Sequence, residues 1–221
     1  MTLSLKTKRL LGYYLKLWGL YILFFIAAAI LTSIYPELAP EKYKQDFLNL
    51  LLKESPLQLF ILAVIFAPII EEMMFRTLIK PSHTDIILLL CSWPLFYING
   101  FLPDDVHWAI KTGFIALCLV LQFYVVHQLI PAERTIKLRG FLTKHYIPVL
   151  IVSSLLFGLV HINNYVDGFI INAALVLLIV PRILSGFMMG MIKIKNEGIG
   201  WSMGLHAMNN GFVVGIMILA Q

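Results

Sequence analysis

Three short polar clusters interrupt the apolar stretches of this chain, and the first contains two adjacent carboxylates. Glu71 and Glu72 are followed after three residues by Arg76. Positions four apart share one face of a helix, so Glu72 and Arg76 can form an ion pair, whereas Glu71 points about 100° away. One carboxylate can therefore be structural while its neighbour is available for chemistry. Taken alone, the cluster fits a helix end at the lipid head groups equally well.

The other two clusters supply imidazoles and an amide. His161 follows an apolar run, with Phe157 one turn earlier on the same face; a single histidine of this kind is usually an interface residue. His206 and Asn210 are four apart, so they can point into one cavity or simply join two helices by hydrogen bonds. Together with a carboxylate, these groups suit hydrolysis. A Glu can act as general base for water, imidazoles can orient that water, bind a metal or carry protons, and an amide can stabilise an oxyanion.

Composition places these clusters in a membrane. The 221 residues are 60% hydrophobic and 13% charged, with a mean hydropathy of +0.86, whereas a soluble domain has about a quarter charged residues. Each charge inside a membrane span costs roughly 2.5–3.5 kcal/mol, so the polar clusters require a function. The net charge of +5 does not indicate nucleic-acid binding, because the basic residues lie between apolar runs. We expect Cys91 and Cys118 to be free thiols.

The apolar runs predict an all-α, polytopic transmembrane helical bundle with about eight membrane helices, in a single domain covering residues 1–221. The first run is long enough for a retained span rather than a signal peptide. The sixth and seventh runs, separated by Pro181 and Arg182, are short for spans, so the topology after residue 181 stays open. The runs lie near residues 17–35, 56–79, 85–102, 108–130, 146–163, 168–181, 183–193 and 199–220.

Basic residues predict a multi-pass cell-membrane protein with a cytoplasmic N-terminus. The basic segments 6–9, 76–80 and 134–144 are predicted to be cytoplasmic, and the turns 104–105 and 164–167 to lie outside. The basic residues that do not fit this alternation are Lys193 and Lys195.

The same topology raises a problem of depth. It brings Glu71 toward the cytoplasmic side and His161 toward the outer side. The two side chains can meet only if Glu71 lies near mid-membrane, or if a helix is tilted or broken.

The three clusters resemble the motifs of the CPBP intramembrane proteases, also called the Abi family, which includes the type II CAAX prenyl endopeptidases. Those motifs are two Glu followed by Arg, Phe-x-x-x-His and His-x-x-x-Asn, found here in that order within core residues 68–210. The resemblance implies a helical membrane fold, a cavity open toward the cytoplasm, and hydrolysis of a peptide bond inside it. One departure is the spacing of 161 − 71 = 90 positions between Glu71 and His161. The segment 85–130 is interpreted as an extra helical pair inserted between the first two motifs.

By this resemblance, Glu71 activates water with the help of His161, while His206 and Asn210 complete the catalytic site by stabilising the oxyanion. The family is often called a metalloprotease, and its site has also been argued to be that of a metal-free glutamate protease. Glu71, His161 and His206 could bind zinc with an open position for water. We favour water activated by Glu71 without an obligatory metal. The residues expected to hold the geometry are Glu72, Arg76 and Phe157.

Other functions fit the sequence less well. The chain has no His-Glu-x-x-His zinc motif, and Ser185 is interpreted as a small packing residue. A non-catalytic membrane partner, such as a bacteriocin-immunity or signalling regulator, is the main alternative; a proton-coupled transporter is the weaker one, because no internal repeat is seen. The expected partners are the lipid bilayer and a membrane protein or peptide substrate, and no nucleic acid.

Overall fold

The computed structural model describes residues 2–39, 43, 46–103, 105–166 and 170–220, and the regular structure of these residues is helical throughout. The turns expected at 104–105 and 164–167 lie partly outside them. The helices are α1 Leu3–Ile34, α2 Asp46–Glu54, α3 Pro56–Ile61, α4 Ala67–Phe75, α5 His83–Ile98, α6 Trp108–Leu129, α7 Ala132–Lys144, α8 Tyr146–Val160, α9 Ala173–Asn196 and α10 Ile199–Leu219.

Six helical segments are long and apolar enough to cross a membrane, and α5 is a shorter apolar helix of 16 residues. The chain is therefore an all-α, multi-pass membrane protein, as the sequence predicts. The expected number of about eight membrane helices is not confirmed. The six segments are Leu3–Ile34, Pro56–Phe75, Trp108–Leu129, Tyr146–Asn164, Ala173–Asn196 and Ile199–Leu219.

The interpretation of residues 168–181 and 183–193 as two separate runs was wrong. Residues on both sides of Pro181 belong to the single 24-residue helix α9. A proline removes only one helical N–H, and membrane helices tolerate it where neighbouring groups satisfy the freed carbonyl. As one helix, α9 has the length of a complete span.

This single helix also explains the two lysines that did not fit the charge count. The Arg9 guanidinium lies 3.3 Å from Oδ1 of Asn196, and the Asn196 amide donates to the Lys6 carbonyl at 3.0 Å. The end of α9 therefore lies beside the start of α1. Lys193 and Lys195 are thus at the same end of the bundle as the basic N-terminal segment.

Helix α4 ends inside the bundle rather than at its surface. The Ser153 hydroxyl donates to the Phe75 carbonyl, and Arg76 Nη1 donates to Ser153 Oγ at 3.1 Å, so α4 ends beside the middle of α8. The following turn runs on until the Lys80 ammonium lies 4.1 Å from the centre of the Tyr146 ring, at the start of α8. Seven residues of α8 separate these two points, which is about 10 Å at 1.5 Å per residue. Because α4 ends beside the middle of α8, Glu71 can lie at the same depth in the membrane as His161.

Helix α9 is central to the packing. Its buried Met189 and Ile192 pack with Leu17 of α1 and Leu205 of α10. The segment expected to form a helical pair does so as α5 and α6, and Ile87 and Cys91 of α5 pack against α4 and α6. The basic segment 132–144, expected only as a connection, forms helix α7.

Candidate active site

The four residues expected to be catalytic line one cavity of about 410 Å³. Glu71 comes from α4, His161 from the single 3₁₀ turn after α8, and His206 and Asn210 from α10. The remaining walls are formed by α1 and α9, and no residue of the α5–α6 pair lines the cavity. The α5–α6 pair therefore lies outside the walls of the site.

Glu72 is a fully buried ion-pair partner. Its carboxylate lies 3.2 Å from Arg76 Nε, and both side chains have zero exposure. It also accepts a hydrogen bond from the Ser202 hydroxyl and contacts His206 Nδ1 at 3.0 Å. Glu72 thereby joins α4 to α10, and its oxygens are fully engaged.

Glu71 has a different environment, as the helical spacing predicts. Its side chain is 23% exposed and borders the cavity, whereas that of Glu72 is 0% exposed. Oε2 of Glu71 lies 3.7 Å from Nε2 of His161 and 3.9 Å from Nε2 of His206, and it has no direct hydrogen-bond partner. Separations above 3.5 Å between polar atoms are suited to bridging by a water molecule.

Both imidazoles are held by their other ring nitrogen. Nδ1 of His161 lies 2.6 Å from the Phe157 carbonyl, and Nδ1 of His206 contacts the Glu72 carboxylate. Carbonyl and carboxylate oxygens only accept, so each Nδ1 carries a proton and donates it. Each ring therefore presents Nε2 to Glu71.

Phe157 packs among the charged and polar groups of the site. Its ring centre lies 4.7 Å from that of His161, 5.7 Å from that of His206, and 4.4 Å from the guanidinium carbon of Arg76. The last contact is a cation–π arrangement in a dry environment. Fully buried, Phe157 holds both imidazoles and the arginine in place.

Asn210 satisfies a backbone carbonyl just before the helix that carries Glu71. Residues Leu62–Phe66 form a π-helical turn between α3 and α4, in which the N–H of Ala67 bonds to the Leu62 carbonyl, five residues earlier. The next such bond would run to Ala63 from Pro68, which has no N–H. The Asn210 amide donates to the Ala63 carbonyl instead, at 2.8 Å.

The profile of the type II CAAX prenyl endopeptidase Rce1-like family matches residues 53–212. That range covers well over half of the chain and contains all three motifs. The chain belongs to this family. No curated protein and no solved structure matches it.

A zinc ion has suitable donor types in this Rce1-like site, but the described side chains do not form a metal cluster as they stand. Zinc needs its ligands about 2.0–2.2 Å from a common point. No group of three His, Cys, Asp or Glu in the described part of the chain meets the geometry for a metal ion.

Sequence reasoning missed a second buried charge pair of this Rce1-like chain. Lys193, 3% exposed, lies 3.2 Å from the Asp85 carboxylate and donates to the carbonyls of Arg76 at 2.8 Å and Thr77 at 3.2 Å. It therefore satisfies the backbone where α4 ends. A lysine within an apolar run was the available signal, but it was considered only as a marker of topology.

Proposed function

We propose that this chain is an intramembrane endopeptidase that hydrolyses a peptide bond of a membrane-associated protein or peptide. The observation that carries the proposal is the Glu71 carboxylate, whose Oε2 has no hydrogen-bond partner and faces two imidazole nitrogens across 3.7 and 3.9 Å. A water molecule held there contacts a general base and two groups that fix its orientation.

Glu71 accepts a proton from this water, and the oxygen attacks the peptide carbonyl carbon. His161, fixed through its Nδ1 hydrogen bond to Phe157, orients the water from the other side. The negative charge that develops on the carbonyl oxygen is stabilised by His206 and Asn210. When the carbon–nitrogen bond breaks, the protonated Glu71 returns its proton to the departing amine, so protons balance over the cycle.

The neighbouring groups support these roles. Glu72 fixes the orientation of the His206 ring through its 3.0 Å contact with Nδ1. Asn210 uses one amide hydrogen for Ala63 and retains a second one for the oxyanion. The basic residues at the start of α1 and at the end of α9 lie at the same end of the bundle. By the positive-inside rule, they favour a cytoplasmic N-terminus.

The test compares peptide termini, by mass spectrometry, in membranes that contain the wild-type protein or Glu71→Gln. The substitution keeps the side-chain size and removes the general base. Glu133→Gln is the matched control, since Glu133 is exposed on α7. Termini present with wild type and with Glu133→Gln, but absent with Glu71→Gln, are the expected result.

Equal termini from all three proteins, at equal abundance, would refute the protease proposal. The chain would then be better explained as a non-catalytic partner, and solute flux in liposomes would test the transporter alternative. A parallel sample treated with a chelator addresses the metal. Cleavage that survives chelation supports a glutamate mechanism, whereas cleavage restored by added zinc supports metal catalysis.

A further inference from the structure

Arg182 introduces a positive charge into the wall of the catalytic cavity. It lies on α9 next to Pro181, and its side chain lines the same space as Glu71 and His161. Nine residues, or about 14 Å of helix, separate it from the start of α9. It therefore lies within a candidate membrane span, where a charge costs roughly 2.5–3.5 kcal/mol.

The other buried carboxylates described in the bundle already have partners of their own. Glu72 pairs with Arg76, and Asp85 pairs with Lys193. Glu71 faces the two imidazoles. Among the described residues, no carboxylate lies within 4 Å of the Arg182 guanidinium. The cavity therefore contains a cation without a close counterion.

A second polar side chain that lines the cavity has one atom without a partner. Asn209, the neighbour of Asn210, is 3% exposed, and its buried Oδ1 has no hydrogen-bond partner in the described structure. This oxygen can only accept, whereas the Arg182 guanidinium can only donate. Together they offer the two kinds of contact that a peptide carrying a carboxylate requires.

We propose that Arg182 binds a carboxylate of the peptide substrate, while Oδ1 of Asn209 accepts a hydrogen bond from a substrate backbone N–H. The guanidinium presents a planar fork of donors that matches a carboxylate, so this contact selects anionic substrates. The inference rests on the proposed function, because it specifies the substrate that the Glu71 site receives.

A binding measurement tests the inference independently of cleavage. Fluorescent octapeptides with a randomised apolar centre are prepared as three pools: one with a free C-terminal carboxylate, one with a C-terminal amide, and one amidated with a single fixed Asp. Binding to the detergent-solubilised Glu71→Gln protein is followed by fluorescence anisotropy. We expect at least one anionic pool to bind about tenfold more tightly than the neutral amide pool. The pool that does so shows whether a terminal or a side-chain carboxylate is recognised.

Adding Arg182→Gln should abolish this preference, and Arg182→Lys should retain part of it. Arg134→Gln, at an exposed position of α7, is the matched control and should leave the preference unchanged. Equal binding of all three pools, no binding of any pool, or a preference that survives Arg182→Gln would overturn the inference. Thermal melting of each variant checks that it is folded.

Cleavage assays with the otherwise wild-type protein separate the two proposals. We expect Arg182→Gln to reduce cleavage of the anionic pools selectively. An equal loss for the neutral pool would mean that Arg182 acts on Glu71 or on the oxyanion, and would overturn the substrate role. Absence of cleavage by the wild-type protein itself refutes the protease function, while the binding result still decides the fate of the Arg182 site.

Discussion

Replacing Lys193 by methionine should destabilise the junction between α4 and α5. Methionine keeps a flexible, unbranched apolar side chain but removes the ammonium, which contacts Asp85 and the carbonyls of Arg76 and Thr77. Removing one partner of a buried ion pair costs about 3–5 kcal/mol, because the remaining charge stays buried. At about 1.4 kcal/mol per factor of ten, local opening should become at least two orders of magnitude more frequent.

Cys91 provides a direct assay for this opening. It lies on α5, the helix that carries Asp85, and it is 1% exposed. In a Cys118→Ser background, the rate at which a maleimide labels Cys91 reports how often α5 separates from its neighbours. We expect much faster labelling with Lys193→Met. Lys195→Met is the control, since Lys195 is exposed two residues further along the same helix.

A double replacement tests the physical reason. With Lys193→Met and Asp85→Asn together, neither charge of this pair remains, and the asparagine keeps an acceptor for the Ser82 N–H. The two carbonyls still lack their donor. The cost should fall to about 1–3 kcal/mol, the range for an unsatisfied buried polar group. Labelling of Lys193→Met at the rate of Lys195→Met would refute the argument, and so would a double variant that is no more stable than the single one.

Two further results should follow from the site. Glu72→Gln should lower the thermal stability in detergent far more than Glu71→Gln, because only Glu72 is the fully buried partner of an ion pair; equal melting temperatures would contradict this. Asn210→Leu should cost about 1–3 kcal/mol by leaving the Ala63 carbonyl unsatisfied. That cost should shrink in a Pro68→Ala background, which restores a backbone N–H for Ala63, and strictly additive costs would show that the amide has another role.

The motif spacings predicted much of the site because they are local properties of helices. Glu72 and Arg76 pair across one helical turn, and Glu71 points away from them, as four-residue periodicity requires. The contact of the Phe157 ring with His161 and the hydrogen bond from His161 to the Phe157 carbonyl likewise join residues only four positions apart. The sequence could therefore indicate which residues belong together before their arrangement was known.

What the sequence could not predict depends on contacts between distant segments. Pro181 was interpreted as the boundary of two short runs, because its tolerance inside α9 depends on packing rather than on propensity. Lys193 was used only as a marker of topology that did not fit the charge count, because its partner Asp85 lies more than 100 positions away. Helix α7 was missed because a basic segment beside a membrane is interpreted by its charge, although its buried Leu142 shows that it also packs.

The irregular backbone of this chain explains why its polar side chains lie where they do. A membrane tolerates a broken helix only where the backbone groups are satisfied inside the protein or border a cavity. The Ala63 carbonyl beside the π-helical turn is bound by Asn210, and the carbonyls of Arg76 and Thr77 at the end of α4 are bound by Lys193.

The Phe157 carbonyl, where α8 tightens into a 3₁₀ turn, accepts from His161 in the same way. Asn210 and His161 also line the cavity. Each satisfies a backbone carbonyl with one N–H and offers a second polar group to the cavity, namely the other amide hydrogen of Asn210 and Nε2 of His161. The breaks are what bring Glu71 and His161 to one depth, and the side chains that stabilise them are largely those proposed for hydrolysis. A variant that straightens a break should therefore impair cleavage even when it stabilises the helix, which is the relation expected where backbone irregularity is part of a functional site.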